Sequence, residues 1–292
     1  MVLFVKKNDI VQVNYYNSGQ VASAVNLAYG KNMSSINTGI EWTDKTWNPT
    51  TGCDKVSPGC LHCYAEVLTQ RFPQNFPNGF KLTLHPGRLQ EPLGWRTPSR
   101  VFVNSMSDLF HEDVPLEFIN EVISTIKQTP RHIYQILTKR PERLHDLVVN
   151  FNLEFPENVW LGVSVENQNY VNRLDYLREI PVSVRFISCE PLLGALKLDL
   201  TDIHWVIVGG ESGQKHRPMQ ISWVEDIRDQ CQAEKVAFFF KQVGGRTPKA
   251  GGRLLDNQIW DEMPSVWYQH VAKWGTLPLK ATKFSGQLEL TV

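Results

Sequence analysis

Three cysteines stand within eleven positions, Cys53, Cys60 and Cys63, in the segment TGCDKVSPGCLHCYAE. Pro58 and Gly59 impose a turn between the first two, so one loop can wrap three thiolates around a single object. The count is informative. A structural zinc site normally closes with four protein ligands, whereas a [4Fe-4S] cluster held by three cysteines leaves one iron open. S-adenosyl-L-methionine fits that opening, because its amino and carboxylate groups can chelate the iron and set the sulfonium beside the cluster. One electron would then cleave a carbon–sulfur bond and yield a 5′-deoxyadenosyl radical, while the protein positions the sulfonium and excludes water and oxygen. The competing expectations are a zinc closed by His62 or His85, in a non-catalytic module that binds nucleic acid or protein, and a purely structural trio of thiols. His62 is badly placed to share one ion with its neighbours, since adjacent side chains diverge.

The elements that must carry this loop read as repeated βα units from Thr38 to about Gly245. Strands are expected at 101–106, 132–138, 159–165, 183–189, 204–210 and 236–242, all apolar on both faces, as a parallel sheet buried on two sides requires. A helix beginning near Asp113 and Pro115 has Ile119, Val122, Ile123 and Ile126 on one stripe. Another starts at Pro141 with Leu144, Leu147, Val148 and Phe151 on one face, and a third carries Tyr170, Val171, Leu174 and Leu177. Ser222 and Glu225 read as a capping box for a helix that buries Trp223, Ile227 and Cys231. The fold class expected is α/β, a parallel (β/α) barrel or partial barrel, with a doubly wound sheet as the alternative. Residues 1–37 read as a polar N-terminal arm or extension, 38–245 as the barrel domain, and 246–292 as a tail packing on it.

In such a barrel functional side chains sit where strands end. That rule selects Asn104, Ser105 and Asp108, then Lys139 and Arg140, Ser164 and Glu166, Glu190, and Glu211. GGESG (209–213) reads as a tight turn in which Gly209 and Gly210 allow close approach of a ligand. Cys189 and Cys231 read as core, and Lys139, Arg140, Arg143 and His145 as a solvated helix start. Trp42, Trp47 and Trp95 read as core residues by default, with shielding of the cysteine segment as the functional alternative.

The run IEWTDKTWNPTTGCDKVSPGCLHCYAE, together with GGRLLDNQIWDEMP near the end, resembles the phage Gp37/Gp68 family, DUF5131, which is related to radical SAM enzymes. The resemblance covers about residues 38–265 and makes Met33 look like the usual start of such proteins. It implies a barrel of radical SAM type, a cluster on Cys53, Cys60 and Cys63, and bound S-adenosyl-L-methionine. The spacing departs from the commonest radical SAM pattern: six residues separate the first two cysteines instead of three, and His62 stands where an aromatic residue usually lies near the adenine. His62 and Tyr64 are thus implied beside the cofactor, Asn104, Ser105 and Asp108 near the methionine amine, Ser164 and Glu166 at the ribose, and Lys139 or Arg140 at the carboxylate. The resemblance also implies an external electron donor.

Thirty basic and thirty acidic side chains cancel. Neutrality does not call for nucleic acid as a partner, although a local basic stripe could bind it; it is the resemblance that makes nucleic acid or a nucleotide a candidate substrate. No apolar run approaches the roughly 18 residues of a membrane span, and the N-terminus does not read as a secretory signal. Odd, clustered cysteines suit a reducing compartment, so a cytoplasmic enzyme is expected.

Overall fold

The computed structural model describes residues 4–6, 9–11 and 38–274. The arm expected over 1–37 lies outside them except for an antiparallel pair, β1 (Phe4–Lys6) and β2 (Asp9–Val11), in a compact unit of its own. The last part of the expected tail, 275–292, also lies outside.

The other unit follows the alternation of apolar runs and amphipathic helices. In chain order come β3 (Lys45–Trp47), β4 (Thr50–Thr51), α1 (Tyr64–Arg71), β5 (Thr83–Leu84) and β6 (Arg100–Val103). There follow α2 (Leu116–Gln128), β7 (Ile133–Thr138), α3 (Pro141–Phe151), β8 (Val159–Ser164), α4 (Arg173–Arg178) and β9 (Val184–Cys189). The series closes with β10 (Trp205–Gly209), α5 (Ile221–Ala233), β11 (Ala237–Gln242), β12 (Leu254–Leu255), β13 (Gln258–Ile259) and α6 (Ser265–Trp274). Seven strands, β3 and β6 to β11, lie in one sheet in sequence order, every pair parallel. A doubly wound sheet would reverse its order partway. The order here runs one way only and leaves β3 and β11 as separate edges, so the sheet is an open, curled partial (β/α) barrel.

Each strand sends alternate residues to two buried layers. Val159, Leu161 and Val163 of β8, with Val206, Val208, Phe238 and Phe240, pack against Ile119, Val122, Ile126, Leu144 and Ile227 of the helices. The intervening residues Phe102, Trp160, Phe186, Trp205 and Phe239 form the second layer with Trp42, and α6 adds Trp267 to it. Trp205 is its hub, with ring centroids 6.1 Å from Trp42, 5.9 Å from Trp160 and 6.0 Å from Phe239. Gly162 is required there, because a Cβ would stand 2.4 Å from the Phe186 ring. Aromatic side chains therefore fill this layer, and the polar positions gather at the C-terminal ends of the strands.

Local differences from the sequence reading have physical reasons. Strand β6 stops at Val103 because Asn104 turns to φ 60°, in the left-handed region. The expected capping box is absent: α5 begins at Ile221 with Gln220 at the cap, which puts Ser222 inside the first turn. Trp223 is half-buried and Val224 takes the core position. Phe151 ends α3 exposed, followed by a left-handed Asn152. Trp42 and Trp47 are core, and half-buried Trp95 packs on that core, so all three follow the default reading. Among the described residues no helix is long and apolar enough to cross a membrane.

Trp205→Ala should cost about 3–5 kcal/mol, the range for deleting a buried large aromatic. Urea unfolding followed by tryptophan fluorescence measures this, and a loss below ~1 kcal/mol would contradict the hub role.

Candidate metal centre

The cysteine loop runs from β4 to α1 and lies over the strand ends. Its backbone is anchored first: Gly52 N–H donates to Met106 O at 2.9 Å and Cys53 N–H to Phe80 O at 3.1 Å. Gly52 has φ +85°, and a Cβ there would collide with Lys81 O at 2.2 Å, so only glycine permits this entry. Pro58–Cys60 form one 3-10 turn, and Cys63 caps the start of α1 in extended conformation. All three cysteines are free and half-buried.

Four strand ends hold this loop. After β6, Asp108 accepts from Thr138 Oγ1 at 2.8 Å and from Lys139 N–H at 3.0 Å. It pairs with Arg140 Nη1 at 3.4 Å. Arg140, following β7, donates from Nη1 to Cys53 Sγ at 3.3 Å and from Nη2 to Asp54 O at 3.3 Å. After β8, fully buried Glu166 pairs with Arg173 at 2.9 Å and accepts Gly59 N–H at 3.4 Å. After β10, Glu211 meets His62 Nδ1 at 3.1 Å and takes Arg217 on both carboxylate oxygens, while Arg217 Nη2 also donates to Pro58 O at 3.0 Å. His111 adds an outer contact to Asp54 at 3.1 Å.

The electrostatics follow from these contacts. Burial pushes the Cys53 thiol up to about 11, Asp108 adds to the rise, and Arg140 opposes it. Ligation must therefore release a proton from this sulfur. Burial also opposes the charge on Glu211, but hydrogen bonds from Arg217 and His62 outweigh it and hold the carboxyl at about 2.

The candidates named from sequence fall into groups. Cys53, Arg140 and Asp108 meet directly, as do His62 and Glu211. Tyr64 donates its hydroxyl to Ser105 O, and Lys139 Nζ donates to Ser164 Oγ at 3.0 Å. Asn104 is turned to Thr50, with Nδ2 to Oγ1 at 3.0 Å. Glu190 pairs with Lys241 at 2.8 Å. His85 bonds Thr51 at 2.8 Å. Gly209 and Gly210 do allow close approach, but to protein: added Cβ atoms would stand 2.5 Å from Glu190 Oε1 and 1.9 Å from Val243 O. Cys189 and Cys231 are core. The basic run is not wholly solvated, because Arg140 is buried and Arg143 donates to Val114 O at 2.7 Å. Arg217, Arg173, Thr138 and Lys241 escaped the sequence reading. Arg217 alone carried a signal, as a cation six residues past Glu211 around a turn.

Among the described residues no three His, Cys, Asp or Glu side chains are grouped as ligands of one ion. Three half-buried thiols on one anchored loop are a donor set of the chemistry an iron–sulfur cluster takes.

The depressed Glu211 carboxyl gives a pH signature. Its stabilisation is fully present above the ordinary value of 4.5 and is lost as pH falls through about 2. The unfolding free-energy difference between the wild type and Glu211→Gln should be present at pH 5 and shrink as pH falls from 4.5 towards 2. A difference undiminished at pH 2 would contradict the ion pair.

No curated protein matches the chain. Solved structures similar to part of it include spore photoproduct lyase complexed with dinucleoside spore photoproduct, at 14% identity and TM-score 0.40, covering 62% of this chain and 58% of that one. The same lyase with bound AdoMet and that dinucleoside gives 14%, 0.39, 61% and 58%. A single-site mutant of the lyase gives 13%, 0.41, 84% and 75%. This chain thus spans about three fifths of the length of the first of these, and the fold assignment rests on its own strand order. The family described as protein of unknown function (DUF5131) matches residues 37–264, most of the chain, and the protein belongs to that family.

Proposed function

We propose that this protein is a radical SAM-type enzyme, with Cys53, Cys60 and Cys63 holding a [4Fe-4S] cluster that binds S-adenosyl-L-methionine. One observation carries the reading: a loop with three half-buried thiols is fastened across the C-terminal ends of three parallel strands, β7, β8 and β10, by hydrogen bonds donated by Arg140 and Arg217 and accepted by Glu166 and Glu211. This is the face of a parallel barrel where catalytic groups collect. When bound, the cluster would supply the one electron that splits S-adenosyl-L-methionine at a carbon–sulfur bond into methionine and a 5′-deoxyadenosyl radical.

The chain's own residues supply binding and orientation. Lys139 Nζ is held by the neutral Ser164 hydroxyl, which leaves its charge for an anionic group; the cofactor carboxylate is assigned there, with Arg140 as the second cation. Asn104 and Asp108 shape the amine end by fixing Thr50 and Arg140, and Ser105 lies beside them, bonded to Asn48 Oδ1 at 3.2 Å. Ser164 and Glu166 are assigned to the ribose, and His62 and Tyr64, flanking Cys63, to the adenine side. An external one-electron donor is the partner this chemistry requires. Nucleic acid or a nucleotide is the proposed substrate class, and a reducing cytoplasm the proposed location.

Anaerobic reconstitution with iron and sulfide should give about four irons per chain and dithionite-dependent 5′-deoxyadenosine. Cys60→Ala should lose the iron and the product together. One tightly held zinc, with no cleavage of S-adenosyl-L-methionine, would instead support a zinc-stabilised binding module. Unchanged iron in Cys60→Ala would remove that cysteine from the ligand set.

A further inference from the structure

The zero net charge conceals a local segregation. Residues 212–220 follow β10, and residues 241–253 take in the last two residues of β11 and the loop after it, at the same end of the sheet as the cysteine loop. Together they contain six Lys or Arg and no Asp or Glu. The two loops are joined by backbone: Gly245 N–H donates to Glu211 O and Gly213 N–H to Gly245 O, both at 2.9 Å, and Ser212 bridges Gly245. Their contact is too close for side chains, since a Cβ on Gly244 would meet Glu211 O at 2.3 Å. Val243 N–H to Gly252 O and Gly251 N–H to Gly244 O, at 2.9 and 3.0 Å, close the second loop on itself. The cations are therefore carried on a defined platform.

Three of the six have partners: Arg217 with Glu211 and Pro58 O and Lys241 with Glu190, at the mouth, and Arg253 with Glu41 at 3.8 Å. The other three, Lys215, Arg246 and Lys249, are exposed, and among the described residues none of them forms an ion pair. Unneutralised cations clustered on short glycine-rich loops make a local positive field despite overall neutrality. Protein interfaces are anchored by aromatic and aliphatic side chains, and single-stranded nucleic acid is gripped by stacking on aromatic rings. These two loops contain no Phe, Tyr or Trp. What remains suited to them is a regular row of phosphates, met by point charges.

We propose that the paired loops form a phosphate-binding lip that holds duplex nucleic acid, without sequence preference, against the mouth carrying the cysteine loop. The binding stands on the charge arrangement alone; only its role in presenting a substrate rests on the function proposed above.

The test is fluorescence anisotropy of a labelled DNA duplex with the full chain, before and after cluster reconstitution, from 50 to 200 mM salt. The wild type should bind with an affinity that falls steeply with salt. The K215A/R246A/K249A variant should bind at least tenfold more weakly at 50 mM. Its slope of log affinity against log salt should be shallower by about three, near one unit per lost phosphate contact. Replacing the exposed Lys127, Lys197 and Lys235 by Ala serves as the charge-matched control and should leave the slope unchanged. Lys249→Glu alone should weaken binding in the same direction, and thermal melting confirms that each variant is folded. Absence of duplex binding by the wild type would overturn the proposal, as would an unchanged slope in the triple variant or equal loss in the control. Preferential displacement by an acidic polypeptide would transfer the lip to a protein partner and also overturn it. Since binding is read without cluster chemistry, failure to release 5′-deoxyadenosine leaves this result untouched, and the reverse holds.

Discussion

The buried pairing of Asp108 with Arg140 is the constraint on which the mouth of this barrel depends. Both side chains are 8% exposed, and a buried pair broken on one side leaves a charge without solvent, at a cost of about 3–5 kcal/mol. Arg140 is also the donor to Cys53 Sγ and to the Asp54 carbonyl. One guanidinium thus connects the end of β6, the end of β7 and the first cysteine. Because Asp108 also fixes Thr138 and Lys139, the same carboxylate sets the backbone that carries Lys139 and Arg140.

A second, more exposed clasp repeats the logic on the far strands. Glu211 is buried but Arg217 and His62 are only partly so. The clasp therefore secures the Pro58–Gly59 turn through a network open to solvent. Between the two, Glu166 receives the Gly59 amide while neutralised by Arg173. The division of labour is physical. Aromatic packing around Trp205 makes the lower barrel rigid, and paired charges at the strand ends place a loop that has almost no apolar anchor of its own.

Much of the scaffold was legible in the sequence because parallel strands buried on both faces read as continuous apolar runs; β7 to β11 match those runs to within a residue or so. The helical stripe of Ile119, Val122, Ile123 and Ile126 is buried as its period requires. Boundaries set by backbone conformation were harder, since nothing in the letters VFVNSM shows that Asn104 turns left-handed. The cysteine loop was visible through composition. Of the residues that fasten it, Asp108, Arg140, Glu166 and Glu211 were selected as strand-end positions and His62 by its place in the loop, whereas Thr138, Arg173 and Arg217 acquire meaning only when the strand ends are brought together. Charge segregation on the last two loops was hidden for the same reason: it is cancelled in the total and separated in the sequence, and the contact of Gly213 with Gly245 reveals it.

The proposed function requires a cluster iron that Cys53, Cys60 and Cys63 leave open to S-adenosyl-L-methionine. Electron paramagnetic resonance of the anaerobically reduced, reconstituted protein, with and without S-adenosyl-L-methionine labelled at its amino nitrogen, reads that iron directly. The account predicts a cluster signal whose shape changes on addition and acquires coupling to the labelled nitrogen. A cluster signal indifferent to the cofactor would contradict it.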